Sequence, residues 1–278
     1  MAPPHEEVRL NPSQIAGIRA IILDMDGVLW RGSENIGDLP ALFQEITMRR
    51  WKFILATNNA TRSIAQYVEI FNGLGITIES RHVINSGQAA AHYLKKCYPQ
   101  GGPLYIIGEE GLISTMVDAG FYQSEEHPLG VLAGLNRQLT YDMLRKACLL
   151  IRSGVPFYGT NPDATYPSPE GLIPGAGTVI GAIEIASDVK AHLMGKPSPE
   201  MYQLALERLA TSPGETLVVG DRLDTDIAGG QVLGCLTGLV LSGVSTLEEV
   251  SHWTPPPDLI ADDLTSLLEI TRIASSDR

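Results

Sequence analysis

The sequence predicts an α/β protein: a largely parallel sheet flanked by helices, interrupted by an inserted α/β domain. Three observations predict it. Short, almost purely apolar runs alternate with helix-length stretches from about residue 18 onward; four of the chain's strand-and-loop segments end in polar residues suited to chemistry; and the second and third of those endings lie 196 − 57 = 139 positions apart. A strand–helix unit needs far fewer residues than that, so a domain must fill the gap.

The strand candidates are 20–23, 53–56, 83–84, 104–107, 131–133, 156–158, 217–219 and 239–241. They are short and nearly free of polar side chains, as parallel strands buried on both faces are. Helical stretches fall between them at 39–50, 63–73, 88–96, 141–153 and 199–210. The last opens Ser198-Pro199-Glu200, a capping residue with proline at the first helical position. A proline run at 255–257 precedes a final strand and helix within 259–273. Such alternation implies a parallel-sheet α/β class.

Composition narrows the function. Of 278 residues, 44 % are hydrophobic and 19 % charged, enough material for a sizeable core. Lys plus Arg number 20 against 32 Asp plus Glu, a formal charge of −12, which argues against a nucleic-acid partner. No apolar run reaches the length of a membrane span. The first eleven residues carry Glu6 and Glu7 and no apolar signal core, so a cytoplasmic location is expected. Cys97, Cys148 and Cys235 are odd in number and far apart, which fits reduced thiols; each is flanked by periodic apolar residues and is expected in or near the core.

The chemistry concentrates at four places. The run 20–23 ends in Asp24-Met25-Asp26-Gly27. If extended geometry continues, Asp24 and Asp26 face one side and their charges converge, at the strand end where open α/β sheets bind ligands. The alternative is a turn in which Asp and Gly only shape the backbone. The run 53–56 ends in Thr57-Asn58-Asn59, neutral donors able to hold an anion's oxygens, or else a cap for the helix from Ser63. Gly195-Lys196-Pro197 holds one lysine on a constrained backbone, which favours a fixed counter-charge over a solvated surface role. The run 217–219 leads to Gly220-Asp221-Arg222-Leu223-Asp224-Thr225-Asp226, where a helix dipole accounts for Asp224 and Asp226 more readily than for Asp221. On one rim of one sheet, these endings combine a hard-cation cage, a carboxylate nucleophile, oxyanion donors and an ammonium. Mg²⁺ and phosphoryl transfer suit that set.

At these residues the chain resembles the haloacid dehalogenase superfamily, whose four motifs look like Asp24–Leu29, Thr57–Asn59, Gly195–Pro197 and Gly220–Asp226 here. The long fourth motif, with Gly159-Thr160-Asn161-Pro162-Asp163, is similar to subfamily IIA, the branch of NagD-type, p-nitrophenyl phosphate, phosphoglycolate and pyridoxal phosphate phosphatases. The resemblance implies a Rossmann-like core over 1–98 and 189–278 with a cap of the C2 type at 99–188. It implies that Asp24 is the nucleophile and Asp26 the general acid/base. Mg²⁺ is then held by Asp24, Asp221 and the backbone carbonyl of Asp26, with Asp226 orienting that shell. Thr57, Asn58 and Lys196 bind the substrate's phosphate. Dehalogenases lack the second aspartate of the first motif, so Asp26 favours a phosphatase. The segment 157–163 and the loop through Tyr166 and Pro167 are the candidates for substrate contact. Near the end of the cap, Ala186-Ser187-Asp188 departs from the Ala-Ser-Gly common in relatives.

The expected partner is a small phosphorylated metabolite, with sugar phosphate, phosphoglycolate, pyridoxal phosphate and nucleotide all open, and with no membrane. A homodimer through the cap follows from the family. A phosphomutase or phosphotransferase on the same core, and a non-catalytic phosphate-binding module, are the alternative readings. Asp24, Asp26, Asp221, Asp224 and Asp226 supply five of the negative charges, so an acidic chain remains compatible with an anionic substrate.

Overall fold

The computed structural model describes residues 6–168 and 171–276. Residues 1–5, part of the N-terminal segment read for an export signal, lie outside them. The chain divides into two compact units, Met1–Ala56 with Val68–Val83 and Tyr202–Arg278, and Thr57–Tyr67 with Ile84–Met201. The insertion expected at 99–188 falls within the second unit, which also takes in residues 57–67, 84–98 and 189–201.

The first unit is built on a sheet in the order Glu7–Val8, Leu259–Ala261, Leu236–Val240, Thr216–Gly220, Ala20–Leu23, Lys52–Thr57, Val83–Asn85. Ala20–Leu23 is central and parallel to both neighbours, with Leu23 opposite Leu55 on one side and Val219 on the other. Its four side chains are buried, which explains an apolar run without alternation. Each fully buried Ile or Leu there contributes about 1.5–3 kcal/mol of hydrophobic stabilisation. The helix Leu39–Met48 is capped by the Asp38 side chain, which accepts the Ala41 N–H at 3.1 Å. It buries Leu39, Leu42, Phe43 and Ile46, the spacing of one helical face. It stops two residues short of the predicted end, because Arg50 adopts a left-handed backbone with φ 58°.

The second unit has an all-parallel sheet in the order His192–Leu193, Phe157–Gly159, Val131–Ala133, Gly102–Ile107, Phe121–Gln123. Tyr105, Ile107, Val131, Phe157, Ile180 and Ile183 join one buried cluster, with Ala147 and Ile151 from the helix Tyr141–Arg152. The helix Ala176–Ser187 ends on Asp188, whose left-handed φ of 61° is the conformation a glycine supplies freely. Aspartate tolerates that region better than most residues, so the departure at 188 keeps the helix cap.

Seven of the eight strands expected from the sequence recur within about two residues of the expected ends, and the eighth, 239–241, begins earlier, at Leu236–Val240. The sequence did not reveal the two-residue strands, the antiparallel pair Thr165–Ser168 with Gly171–Pro174, or the π-helical turn Leu223–Ile227. The cysteines correct one expectation. Cys235 is buried and Cys148 half-buried, but Cys97 is exposed at the end of the helix Ser86–Cys97. No described helix is long and apolar enough to cross a membrane.

Candidate active site

In the first unit, Asp24 directly follows Leu23 at the end of its strand, and its N–H donates to the Val219 carbonyl at 2.9 Å. Asp221 directly follows Gly220 on the neighbouring strand. One carboxylate oxygen from each of Asp24, Asp221 and Asp226 lies within 4.8 Å of the others, and all three residues are buried. Asp226 is thus a member of the carboxylate cluster. The π-helical turn Leu223–Ile227 brings it there, with the N–H groups of Asp226 and Ile227 both donating to the Arg222 carbonyl at 3.1 and 3.2 Å. Turns of this kind recur at functional sites.

Glycines shape the cluster. A Cβ on Gly27 or on Gly243 would fall on the Asp221 carboxylate, and one on Gly220 would fall on Asp226. Oδ2 of Asp221 accepts the Val244 N–H at 2.8 Å, and Oδ2 of Asp226 accepts the Arg222 N–H at 3.3 Å. Three buried carboxylates this close repel unless positive charge joins them. As a donor set of hard oxygens they fit a divalent cation such as Mg²⁺.

Asp26 behaves differently. The strand ends at Leu23, and the chain turns through Gly27, whose φ is 82°. The extended geometry expected to align Asp26 with Asp24 therefore does not continue. The Asp26 carboxylate lies outside the acidic group, is exposed, and accepts the Trp30 indole N–H at 3.0 Å. Asp224 is also outside the group: it is exposed and paired with Arg222 at 3.0 Å. Of the five aspartates taken together from the sequence, three converge.

In the second unit, Thr57, Asn58 and Lys196 are all buried, Lys196 to 3 % exposure. A solvated surface lysine is thereby ruled out. The cap reading of Thr57–Asn59 also fails, because Ser63 and Gln66 cap the following helix reciprocally at 2.8 and 3.3 Å. Thr57 Oγ1 accepts the Asn59 N–H at 3.1 Å.

Asn58 is tightly held. Its Nδ2 donates to Asp163 Oδ2 and to the Lys196 carbonyl, each at 3.0 Å. Two acceptors there fix the amide's orientation, since a flipped carboxamide would set oxygen against oxygen. Its own carbonyl accepts Ser86 Oγ at 2.6 Å and Asn161 Nδ2 at 2.8 Å. A Cβ on Gly195 would clash with Asn58 Oδ1 and with the Thr160 carbonyl, so glycine is required for the backbones to approach. Oδ1 itself is buried without a hydrogen-bond partner among the described residues.

Asn161 and Asp163 therefore touch the Thr57–Asn59 loop, a role the sequence did not reveal. Tyr158 is buried, its ring 6.0 Å from Tyr93 and 6.4 Å from His192, and burial drives its hydroxyl pKa far up. It packs in the interior of this unit. Tyr166 instead receives Arg137 Nε at 3.1 Å, and Arg137 is also paired with Glu109 at 3.3 Å.

Comparison with known proteins agrees with the motif reading. Residues 21–122 match the family model of haloacid dehalogenase-like hydrolases, and 193–267 match a second model of HAD-like hydrolases. An acid sugar phosphatase of Staphylococcus aureus is 33 % identical over 251 residues, 90 % of this chain and 96 % of that one. Among solved structures, the 4-nitrophenylphosphatase of Thermotoga maritima superposes with a TM-score of 0.86 at 30 % identity, covering 92 % of this chain and 98 % of its own. NagD from E. coli K-12 gives 0.83 at 31 % identity, covering 89 % and 97 %. The chain belongs to the haloacid dehalogenase-like hydrolases, among the NagD-like phosphatases.

Proposed function

We propose that the protein is a Mg²⁺-dependent phosphatase of small phosphate monoesters that works through an aspartyl-phosphate on Asp24. The observation that carries this reading is the division of the strand-end aspartates. Asp24 shares a buried cluster with Asp221 and Asp226, while Asp26, two residues on, stands apart and exposed on the Trp30 indole. One carboxylate is then kept for nucleophilic attack and the other for proton transfer.

In this mechanism the Asp24 carboxylate attacks phosphorus, forming a bond from its oxygen to phosphorus as the ester P–O bond breaks. Asp26 gives its proton to the departing alkoxide. Asp26 then takes a proton from water as the water oxygen attacks phosphorus, releasing inorganic phosphate and restoring Asp24. Thr57, the backbone of Asn58 and Lys196 bind the phosphoryl oxygens, Lys196 as the counter-charge. Asp24, Asp221 and Asp226, with the Asp26 carbonyl, would hold Mg²⁺, which when bound supplies positive charge against nucleophile and phosphate together. The inserted domain acts as the cap that excludes water and selects the leaving group.

The acid sugar phosphatase relative supports sugar phosphates as the first substrates to test. The reading includes a cytoplasmic enzyme, supported by three free cysteines, and a homodimer, which sedimentation would check.

The deciding experiment is turnover of p-nitrophenyl phosphate with Mg²⁺ and then with EDTA. Metal-dependent release is expected, and Asp24→Asn should reduce it by about a thousandfold or more. Absence of metal-dependent release from the wild-type protein would overturn the proposal. Full activity in Asp24→Asn would overturn the assigned nucleophile.

A further inference from the structure

Away from the acidic cluster, the first unit contains a cavity of about 530 Å³ with an unusual wall. Arg50, Lys52, Arg81 and Arg208 line it, and no Asp or Glu does so among the described residues. Four cations at one cavity stand out in a chain with only 20 Lys and Arg and a net charge of −12. The Lys52 ammonium donates to the Leu209 carbonyl at 2.6 Å, a neutral partner that satisfies a hydrogen bond without cancelling charge. Arg81 is paired with Glu79 at 2.9 Å, in an exposed pair of the kind that exchanges readily.

The backbone adds a second, separate observation. Arg50 has φ 58° and Ala210 has φ 50°, two of the four non-glycine residues with left-handed backbone among those described, and both line this cavity. Arg50 lies just beyond Arg49, the C-cap of the helix Leu39–Met48, and its N–H donates to the Thr47 carbonyl at 2.9 Å. Glycine is the usual residue there, and an arginine holds that backbone only under strain. Strained backbone clusters at ligand sites, and two of the four such positions among the described residues fall on this cavity.

The cavity is also remote from the chemistry. Lys52 lies opposite Ala20 in the sheet register, at the start of the strand that Asp24 follows. Four residues of extended chain separate Ala20 from Asp24, about 13 Å at ~3.3 Å per residue.

We propose that this cavity is a second anion site, taking a small ligand that carries a diphosphate group. Two phosphates match four cations better than a single negative charge does, and the volume is that of a small-molecule site. The rings of Phe53 and His82, stacked at 4.7 Å, and the indole of Trp51 also line it and could flank a flat group attached to the diphosphate. The ligand is thus either free pyrophosphate or a nucleoside diphosphate.

Calorimetry of the whole protein in EDTA tests this with pyrophosphate, ADP and adenosine. Saturable binding of pyrophosphate and ADP is expected, and none of adenosine. ADP tighter by about tenfold would assign the nucleoside-borne form, and equal affinities the free one; both support a diphosphate site. The double variant Arg50→Gly with Lys52→Gln should weaken binding by about tenfold or more. Arg50→Gly alone should raise the melting temperature, because it relieves the left-handed strain, while leaving p-nitrophenyl phosphate turnover unchanged. Lys196→Gln should leave diphosphate binding intact. No saturable binding, binding unaffected by the double variant, or binding lost in Lys196→Gln would each overturn the proposal.

Discussion

Gly243→Ala isolates the cradle around the acidic cluster without touching a reacting group. Gly243 has no left-handed φ, so alanine's backbone is accessible and only the added methyl matters. That methyl would fall on the carboxylate of Asp221, which is 2 % exposed and accepts the Val244 N–H at 2.8 Å. Two responses are open. If Asp221 swings away, a buried charged acceptor loses its donor, a cost of about 1.5–3 kcal/mol. If the backbone shifts instead, overpacking costs about 1–3 kcal/mol. Replacing glycine returns about 0.4–1 kcal/mol through the unfolded chain. The net expectation is a loss of about 1–2 kcal/mol in urea unfolding. Either response also displaces a member of the donor set, so half-saturating Mg²⁺ in the phosphatase assay should rise about tenfold. The stability gained on adding Mg²⁺ should shrink accordingly, since only the folded donor set binds it. Unchanged unfolding midpoints together with an unchanged Mg²⁺ dependence would refute the cradle.

Three further outcomes follow from burial and geometry elsewhere. Gly181 sits inside the helix Ala176–Ser187 with nothing within 4 Å of the place an added methyl would occupy, so Gly181→Ala should stabilise by about 0.5–1 kcal/mol in urea unfolding. Under native conditions Cys97 should react with iodoacetamide well before Cys235, because Cys97 is exposed while burial pushes the Cys235 thiol up to about 11; mass mapping of the labelled peptides reads the order. His82 Nδ1 accepts the Glu79 N–H at 2.9 Å, and burial, with Arg81 beside it, holds its pKa below the ordinary 6.5 against the pull of Glu79. The unfolded chain therefore takes the proton first, and stability falls as pH drops through 6.5 toward the folded value. His82→Asn, a neutral acceptor, should lose less stability than wild type between about pH 7.5 and 5.5 in urea titrations; equal losses would remove the histidine from the account.

The parallel strands were legible because burial on both faces leaves an uninterrupted apolar run, and Ala20–Leu23 is found at the expected bounds. Two-residue strands such as His192–Leu193 carry no such run. They exist because a neighbouring strand offers hydrogen bonds, a tertiary cause that local sequence does not record. The cysteine expectation failed for a related reason. Position 97 shares the face of Ala90 and Leu94, seven and three residues on, but it is the last residue of its helix and is exposed there; periodicity reads the face of a helix and not where the packing against it ends.

The candidate site was legible as residue types at strand ends, and less so as geometry. Asp26 shows why. Period-two alternation holds only while the chain stays extended, and here it ends at Leu23, before the turn through the left-handed Gly27. The same glycine lies against Asp221, so the turn that parts Asp26 from Asp24 also makes room for the cluster's second carboxylate. Asp226 is hard to read from sequence because a carboxylate in the first turn of a helix has an ordinary explanation in the dipole; the π-helical turn that carries it inward leaves no composition signal. The support of Asn58 by Asn161 and Asp163 spans 103 and 105 positions. Sequence hides it, because Gly, Asn, Pro and Asp are ordinary loop formers and Asn161 does serve the loop locally, its Oδ1 accepting the Asp163 N–H at 3.2 Å. The other end of the same carboxamide, Nδ2, reaches the Asn58 carbonyl, so one side chain makes a local turn and a distant contact at once, and only the local half has a sequence signature.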